Sequence, residues 1–305
     1  MESVSYLKGI KLWSAERFPL INVFSAFLLF YLVASAIRSH LANTTEMFYW
    51  SDLLAGLGLT LQFLFLRVLD EHKDYKRDQV THPDRVLQKG WITLKTLKII
   101  GAMALLGSLL ITLYFSQTSP TVFYIYSLML IWTGLMTAEF FMGRWLNRHL
   151  LLYSISHMLV LPLMILWASA MVQSSSWQLP IVQWLVTLTF TNGLIYEVIR
   201  KMKGKDEILQ SESSFTKEYG VLHTVVIVIL LSFISLMSFV LGIRNYFSDD
   251  LLYIVPTVLF FVTVVIYTVK FIGHPERKMR QICEGLSALF VLSLYSTLIF
   301  AAYVK

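Results

Sequence analysis

Charge is what this sequence has least of. Only 14% of its 305 residues are Asp, Glu, Lys or Arg, while 56% are hydrophobic. A soluble domain carries roughly a quarter charged residues, and the deficit here comes with apolar runs of about 20 residues, enough to cross a bilayer. A soluble domain is excluded on this ground, so an integral membrane protein is expected. Cysteine is almost as scarce. Cys283 is the single one, which rules out an internal disulfide and any cysteine-based metal site; it reads as a small buried hydrophobe. A cleavable leader is also lacking, because Met1–Phe18 is mixed and amphipathic with no small-residue cleavage pattern before the first long apolar run. No internal repeat is visible along the chain.

What is present is a succession of apolar segments. Nine membrane helices are expected, near Phe18–Ile37, Met47–Leu69, Trp91–Phe115, Thr121–Met142, Leu150–Met171, Ile181–Ile199, Val221–Leu241, Leu251–Phe271 and Glu284–Val304. The connections around Gln117–Pro120 and Gln173–Pro180 are short and polar, with no room for another domain, so residues 1–305 are read as one domain. Pro162 and Pro256 are expected to kink their helices. Lys and Arg are distributed by side: all except Arg38, Arg244 and Lys305 lie at the N-terminus or in the even-numbered connections. By the positive-inside rule this sets the N-terminus in the cytoplasm and the C-terminus outside. The net charge of +6 is therefore topology and calls for no nucleic acid.

The acidic residues are placed more selectively. Asp70, Glu71, Asp74, Asp78, Asp84, Glu197, Asp206, Glu207, Glu212 and Glu218 all fall in or beside the second and sixth connections, both on the cytoplasmic side. If the second helix continues through LDEHKDYKRD, Asp70, Asp74 and Asp78 form one acidic ridge, because residues four apart on a helix are offset by only about 40°. Arg67, Lys73, Lys76, Arg77, Arg85 and Lys89 surround it. Carboxylates so spaced hold hard cations such as Mg²⁺, and Mg²⁺ with Arg and Lys is the usual grip on a diphosphate. Taken alone, the spacing also suits a solvated helix end held by i,i+4 pairs. The second charged loop on the same face decides for a site.

That loop reads TNGLIYEVIRKMKGKDEILQSESSFTKEYG, Thr191–Gly220. Arg200 and Lys201 fall beside Glu197 on the helix, and by themselves they suit the negative pole of its dipole. Glu197 does not: a carboxylate at that pole, near the membrane interface, is costly and needs a partner or a ligand. Asn192 and Tyr196 stand close enough to join it, Asn192 as a metal or diphosphate contact. Glu139, ending the fourth helix, and His157, inside the fifth, are candidates to line a cavity, orient an acceptor or take its proton; for His157 a packing hydrogen bond is the competing reading. Asp249 and Asp250, on the opposite face, read as solvated loop charges.

Two acidic motifs on cytoplasmic loops, after the second and sixth of nine helices, resemble those of the UbiA superfamily of intramembrane prenyltransferases. The family's NDxxDxxxD and NRPLxxGxIS stretches have counterparts in LDEHKDYKRD and HPDRVLQKGWIT. Asp70, Asp74 and Asp78 match the aspartates, with Arg85, Leu87 and Gly90 matching more loosely. In the second motif Glu197 stands at the first aspartate, and Ser214 and Gly220 approximate the TLPVxLG end. Arg200, Lys201, Lys203 and Lys205 replace a later aspartate, so the form is ExxRKxxxxDE, similar to a branch with DExKDxxxD in its first loop. The resemblance implies an all-α bundle of nine transmembrane helices with a cytoplasm-facing central cavity. It also implies Mg²⁺-dependent ionisation of an isoprenyl diphosphate and transfer of the isoprenyl group to an aromatic or other lipophilic acceptor. Under it, Asp70, Asp74, Asp78 and Glu197 are the catalytic and metal-binding residues, and Arg67, Lys73, Arg85, Arg200 and Lys201 hold the diphosphate. Cyclisation of the cation without an acceptor, as in a UbiA-type terpene cyclase, is the alternative within the same chemistry. A cation-binding transporter fits less well, since its charges belong near the bilayer midplane and here they gather at one mouth.

Overall fold

The computed structural model describes residues 5–42, 48–173, 176–207, 214–246 and 254–303. Every regular element among them is helical. The helices are α1 (Tyr6–Arg17), α2 (Leu20–Ala42), α3 (Trp50–Thr81), α4 (Leu94–Ser116), α5 (Thr121–Thr137), α6 (Gly143–Leu146), α7 (Leu150–Met158), α8 (Val160–Val172), α9 (Pro180–Arg200), α10 (Phe215–Glu218), α11 (Gly220–Tyr246), α12 (Val255–Gly273) and α13 (Arg277–Tyr303). Asp249, Asp250, Glu212 and Lys305 lie outside the described residues.

Each of the nine expected segments is helical over most of its length. Six helical stretches among the described residues are long and apolar enough to cross a membrane by themselves, and α1 with α2, bent by 49°, would make a seventh. Of the other two segments, α5 is 17 residues long. The other, α9, has length enough but buries Thr189, Thr191, Asn192 and Glu197. The chain is thus an all-helical, multi-pass membrane protein.

Two compact units divide it: Met1–Tyr31 with Phe48–Thr137, and Leu32–Met47 with Ala138–Lys305. In the first, α3 packs on α4 and α5. The faces of α4 show the packing rule of a bilayer. Its lipid side carries Ile99, Met103, Leu106, Leu110 and Leu113, all exposed, whereas its buried stripe carries Gly101, Ala104, Ser108 and Thr112. Small residues let helices approach, and hydroxyls bond across them: the Ser108 and Tyr126 hydroxyls are 2.7 Å apart between α4 and α5. In the second unit α9 is central, packed against α7, α8, α11 and α13. The Ser235 hydroxyl of α11 donates to Asn192 Oδ1 at 2.6 Å, so Asn192 serves helix packing here.

Two local expectations are corrected. The fourth apolar run does not stay helical to Met142. Its helix ends at Thr137, and Glu139, Phe140 and Phe141 have φ of 48°, 52° and 58°, a left-handed turn of a kind that costs L-residues about 1–2 kcal/mol each. Glu139 therefore does not end a helix; its carboxylate folds over Gly143, where any Cβ would collide with it. Hydropathy does not report the sign of φ, so it cannot mark this reversal. Pro256 does not kink a helix either, because it stands in the first turn of α12, where a missing N–H costs nothing. Pro162 follows a one-residue break at Leu159 between α7 and α8, as a proline without an N–H requires.

Candidate active site

The first motif is carried by the longest helix. Helix α3 has 32 residues, and its apolar part ends near Leu69. The remaining three turns continue as helix through Asp70, Asp74 and Asp78. The ridge therefore exists, but its three carboxylates differ. Asp70 is half-buried, and Lys73 is its strongest favourable counter-charge. Asp74 is more open and accepts an ion pair from Arg77 at 3.0 Å. Asp78 is buried and held by the guanidinium of Arg85, with Arg77 and His82 at 3.9 and 3.6 Å. Arg85 reaches back because the chain folds over after His82, through bonds from Lys89 N to Arg85 O at 2.9 Å and Trp91 N to Val86 O at 3.1 Å. Gly90, with φ +74°, closes this turn, and Gly220, with φ +80°, opens α11; the glycines that end the two motifs both take a backbone that other residues avoid.

Beside the ridge lies a residue that the spacing of the aspartates did not single out. Glu71 is 2% exposed, and its Oε1 accepts from Arg17 Nε at 2.7 Å and Arg67 Nη2 at 3.2 Å. Arg67 is thus bound to α3 itself. Burial, and next the nearby charge of Arg17, draw the Arg85 guanidinium below its ordinary pKa against the pull of Asp78. Arginines from α1, α3 and the loop therefore crowd around two buried carboxylates, an arrangement with more guanidinium donors than acceptors.

Among the described residues no three His, Cys, Asp or Glu side chains gather closely enough to hold a metal ion. Mg²⁺ does not require such a cage. It keeps its waters and is usually bound by one or two carboxylates together with substrate phosphates. Asp70 and Asp74, one turn apart and outside the buried Asp78–Arg85 pair, fit that donor set.

The second motif is built on the end of α9. Glu197 is 5% exposed and sits between Arg200 Nη2 at 2.6 Å and Lys201 Nζ at 2.8 Å, the partners its helical spacing predicts. Lys201 Nζ also lies 4.8 Å from the centre of the Tyr153 ring, and that ring stacks on His157 at 3.9 Å. Helix α7 thereby brings His157 into one cluster with Glu197 and Lys201. The His157 Nδ1 bonds to the Tyr153 carbonyl at 2.9 Å, the packing bond that its position suggested. Tyr196 is 54% exposed, unlike the buried Asn192 and Glu197.

The later acidic residues of this loop are occupied in holding it. Asp206 Oδ1 accepts from the first amide of α13, Arg277 N, at 2.9 Å. Glu207 takes a two-pronged grip from Arg280, with Nε and Nη2 both at 2.8 Å. Glu218 Oε1 accepts from Leu150 N at the start of α7 at 3.2 Å. The loop is thus tied to α7 and α13. Arg280, its main anchor, is 73 positions from Glu207 in sequence, so spacing within the loop could not identify it. Burial raises the Glu207 pKa, but bonds from Arg280 and the Gly204 amide outweigh it and hold it below the ordinary 4.5. A depressed carboxylate pKa stabilises the fold above the ordinary value and loses that contribution as pH falls through the depressed one. Amide exchange across residues 203–207 is therefore expected to rise as pH drops below about 4.5, and to be already fast at neutral pH in Arg280→Gln.

No family model matches the chain, and no curated protein sequence does. One solved structure does, that of digeranylgeranylglyceryl phosphate synthase in membranes. The alignment covers 98% of this chain and 100% of that one with a TM-score of 0.65 at 15% identity. At this identity the likeness is one of fold: the chain shares the fold of that membrane synthase over essentially its whole length, in line with the fold that the two motifs led us to expect.

Proposed function

We propose that this chain is a UbiA-superfamily enzyme that transfers the isoprenyl group of an isoprenyl diphosphate to a lipophilic acceptor within the membrane, with Mg²⁺ as cofactor. One observation carries the reading: end-to-end likeness to a membrane prenyltransferase in a chain whose longest helix carries three aspartates beyond its apolar part. Nine helices would cross the bilayer as one domain over residues 1–305, with the N-terminus and both acidic loops cytoplasmic and the C-terminus outside.

In this reaction the bond between the first isoprenyl carbon and the diphosphate oxygen breaks, its electron pair leaving with the diphosphate. The acceptor then supplies the pair for the new bond and loses a proton. Bound Mg²⁺ would neutralise charge building on the leaving oxygens. Asp70 and Asp74 are assigned to hold it, while Asp78 serves to hold Arg85. Arg67, Lys73 and Arg85 of the first motif, and Arg200 and Lys201 of the second, are assigned to the diphosphate oxygens, where fixed positive charge counts most in the transition state. Glu197 orients the two cations of its own helix. His157 and Glu139 remain candidates for the acceptor's proton.

The test is to supply the purified chain with isoprenyl diphosphates of several lengths and Mg²⁺, with and without a lipid extract as acceptor source. Pyrophosphate release that depends on the extract, with a prenylated lipid formed, supports transfer. Pyrophosphate with a hydrocarbon or terpene alcohol and no acceptor would show a cyclase instead. No release at any chain length overturns enzymatic function.

A further inference from the structure

The N-terminal helix has no part in the motifs, yet it makes the most specific contacts to the first of them. We propose that α1 is a positioning element of the first-motif site, with Glu16 and Arg17 on its last turn holding the two sides of the acidic ridge in register. This inference rests on the functional reading above.

Glu16 and Arg17 are neighbours of opposite charge, and they grip different elements. Glu16 Oε2 accepts from Val86 N at 2.9 Å, the amide that follows Arg85. Arg17 Nε donates to Glu71 at 2.7 Å, one residue after Asp70. Between the two grips lies the whole stretch that contains Asp74, Asp78 and Arg85. The rest of α1 seats the pair: Trp13 is 2% exposed in a core with Val68, Val86, Leu87, Ile92 and Leu97, and Gly9 passes directly under the Trp91 carbonyl, where a Cβ would collide.

The Arg85 turn needs this support for a physical reason. Its internal bonds satisfy Arg85 N, Lys89 N, Gly90 N and Trp91 N, but the amide of Val86, a residue 6% exposed, has Glu16 as its acceptor. A buried amide left without an acceptor costs more than a typical hydrogen bond returns, so loss of Glu16 favours a turn that lifts away. Arg85 would then leave Asp78. Glu16 and Arg85 also border one shallow open cleft with His82 and Asp84, so that lifting alters the surface a phosphate would meet. The like charges of Arg17 and Arg85, already close enough to depress the latter's pKa, add a force that the two grips help oppose.

The experiment uses the full chain in detergent, with Mg²⁺-pyrophosphate as the probe, and reads its affinity together with amide exchange over residues 84–91. Glu16→Ala is expected to weaken binding about tenfold and to speed exchange in that stretch while the α3–α4 core stays protected. Glu16→Gln, whose amide oxygen still accepts the Val86 bond, is expected to restore both. Parental affinity in Glu16→Ala overturns the inference, and so does a Glu16→Gln as impaired as the alanine variant. If Glu16→Ala fails to fold, exchange in the parent decides: protection across 84–91 supports the grip, and exchange at free-loop rates refutes it. A parent that binds no pyrophosphate overturns the functional reading and this inference together, whereas a binding parent with an indifferent Glu16 overturns the inference alone.

Discussion

Asp74→Asn is expected to lower pyrophosphate release from isoprenyl diphosphate by about a thousandfold while leaving the protein folded and membrane-inserted. The magnitude follows from one unit charge: at about 4 Å and an effective dielectric of about 20, an ion pair is worth about 4 kcal/mol, which is about a thousandfold in rate when realised in the transition state. The choice among the three aspartates follows from their surroundings. Asp78 is buried against Arg85, and its substitution would leave a half-buried guanidinium without its partner, confounding activity with stability. Asp74 pairs with Arg77, a side chain 65% exposed, and exposed pairs contribute at most about 1 kcal/mol. A loss of turnover in Asp74→Asn with an unchanged melting temperature therefore reports on function. Near-parental turnover would remove the first motif from the proposed mechanism.

The same contrast shows what the sequence reveals and what it hides. Helical spacing correctly places Arg200 and Lys201 on Glu197, because residues three and four apart on one helix have no freedom to be elsewhere. It likewise carries α3 intact beyond Leu69. Contacts between distant segments leave no such trace. Glu71 reads as one more acid in a charged loop until Arg17, 54 positions earlier, covers it. Asp206 and Glu207 read as two more acids of the second loop, yet the start of α13 uses both as an anchor. The left-handed turn at Glu139 is invisible for another reason: Glu139, Phe140 and Phe141 are residues that any helix could carry, and backbone sign is not encoded in hydropathy. What periodicity could fix was local geometry on a single helix. What it missed were side chains borrowed by neighbouring elements.

Arg200→Ala and Lys201→Ala are each expected to weaken binding of a non-hydrolysable isoprenyl diphosphate by about ten- to a hundredfold, the range of a hydrogen bond to a charged group. The Mg²⁺ requirement is expected to remain that of Asp70 and Asp74. The second loop motivates this split. Among the described residues its acids are committed, Glu197 to two cations, Asp206 and Glu207 to α13 and Glu218 to the start of α7, and none of these is left over for a further Mg²⁺. Arg offers a fixed fork of donors to phosphate oxygens and Lys a mobile point charge, and together they can take over part of what a metal would neutralise. The two variants also differ in a useful way. Arg200 is 49% exposed, so its removal costs the fold little, whereas Lys201 is 18% exposed and bridges Glu197 to the Tyr153 ring. Lys201→Ala is therefore expected to lower thermal stability as well, and Arg200→Ala to isolate the binding effect. Glu197→Gln serves as the third member: if Glu197 only orients the cations, affinity falls less than in either cation variant. Should Arg200→Ala and Lys201→Ala both bind the diphosphate as the parent does, the two cations are helix-end counterions to Glu197, and the second motif has no share in the substrate.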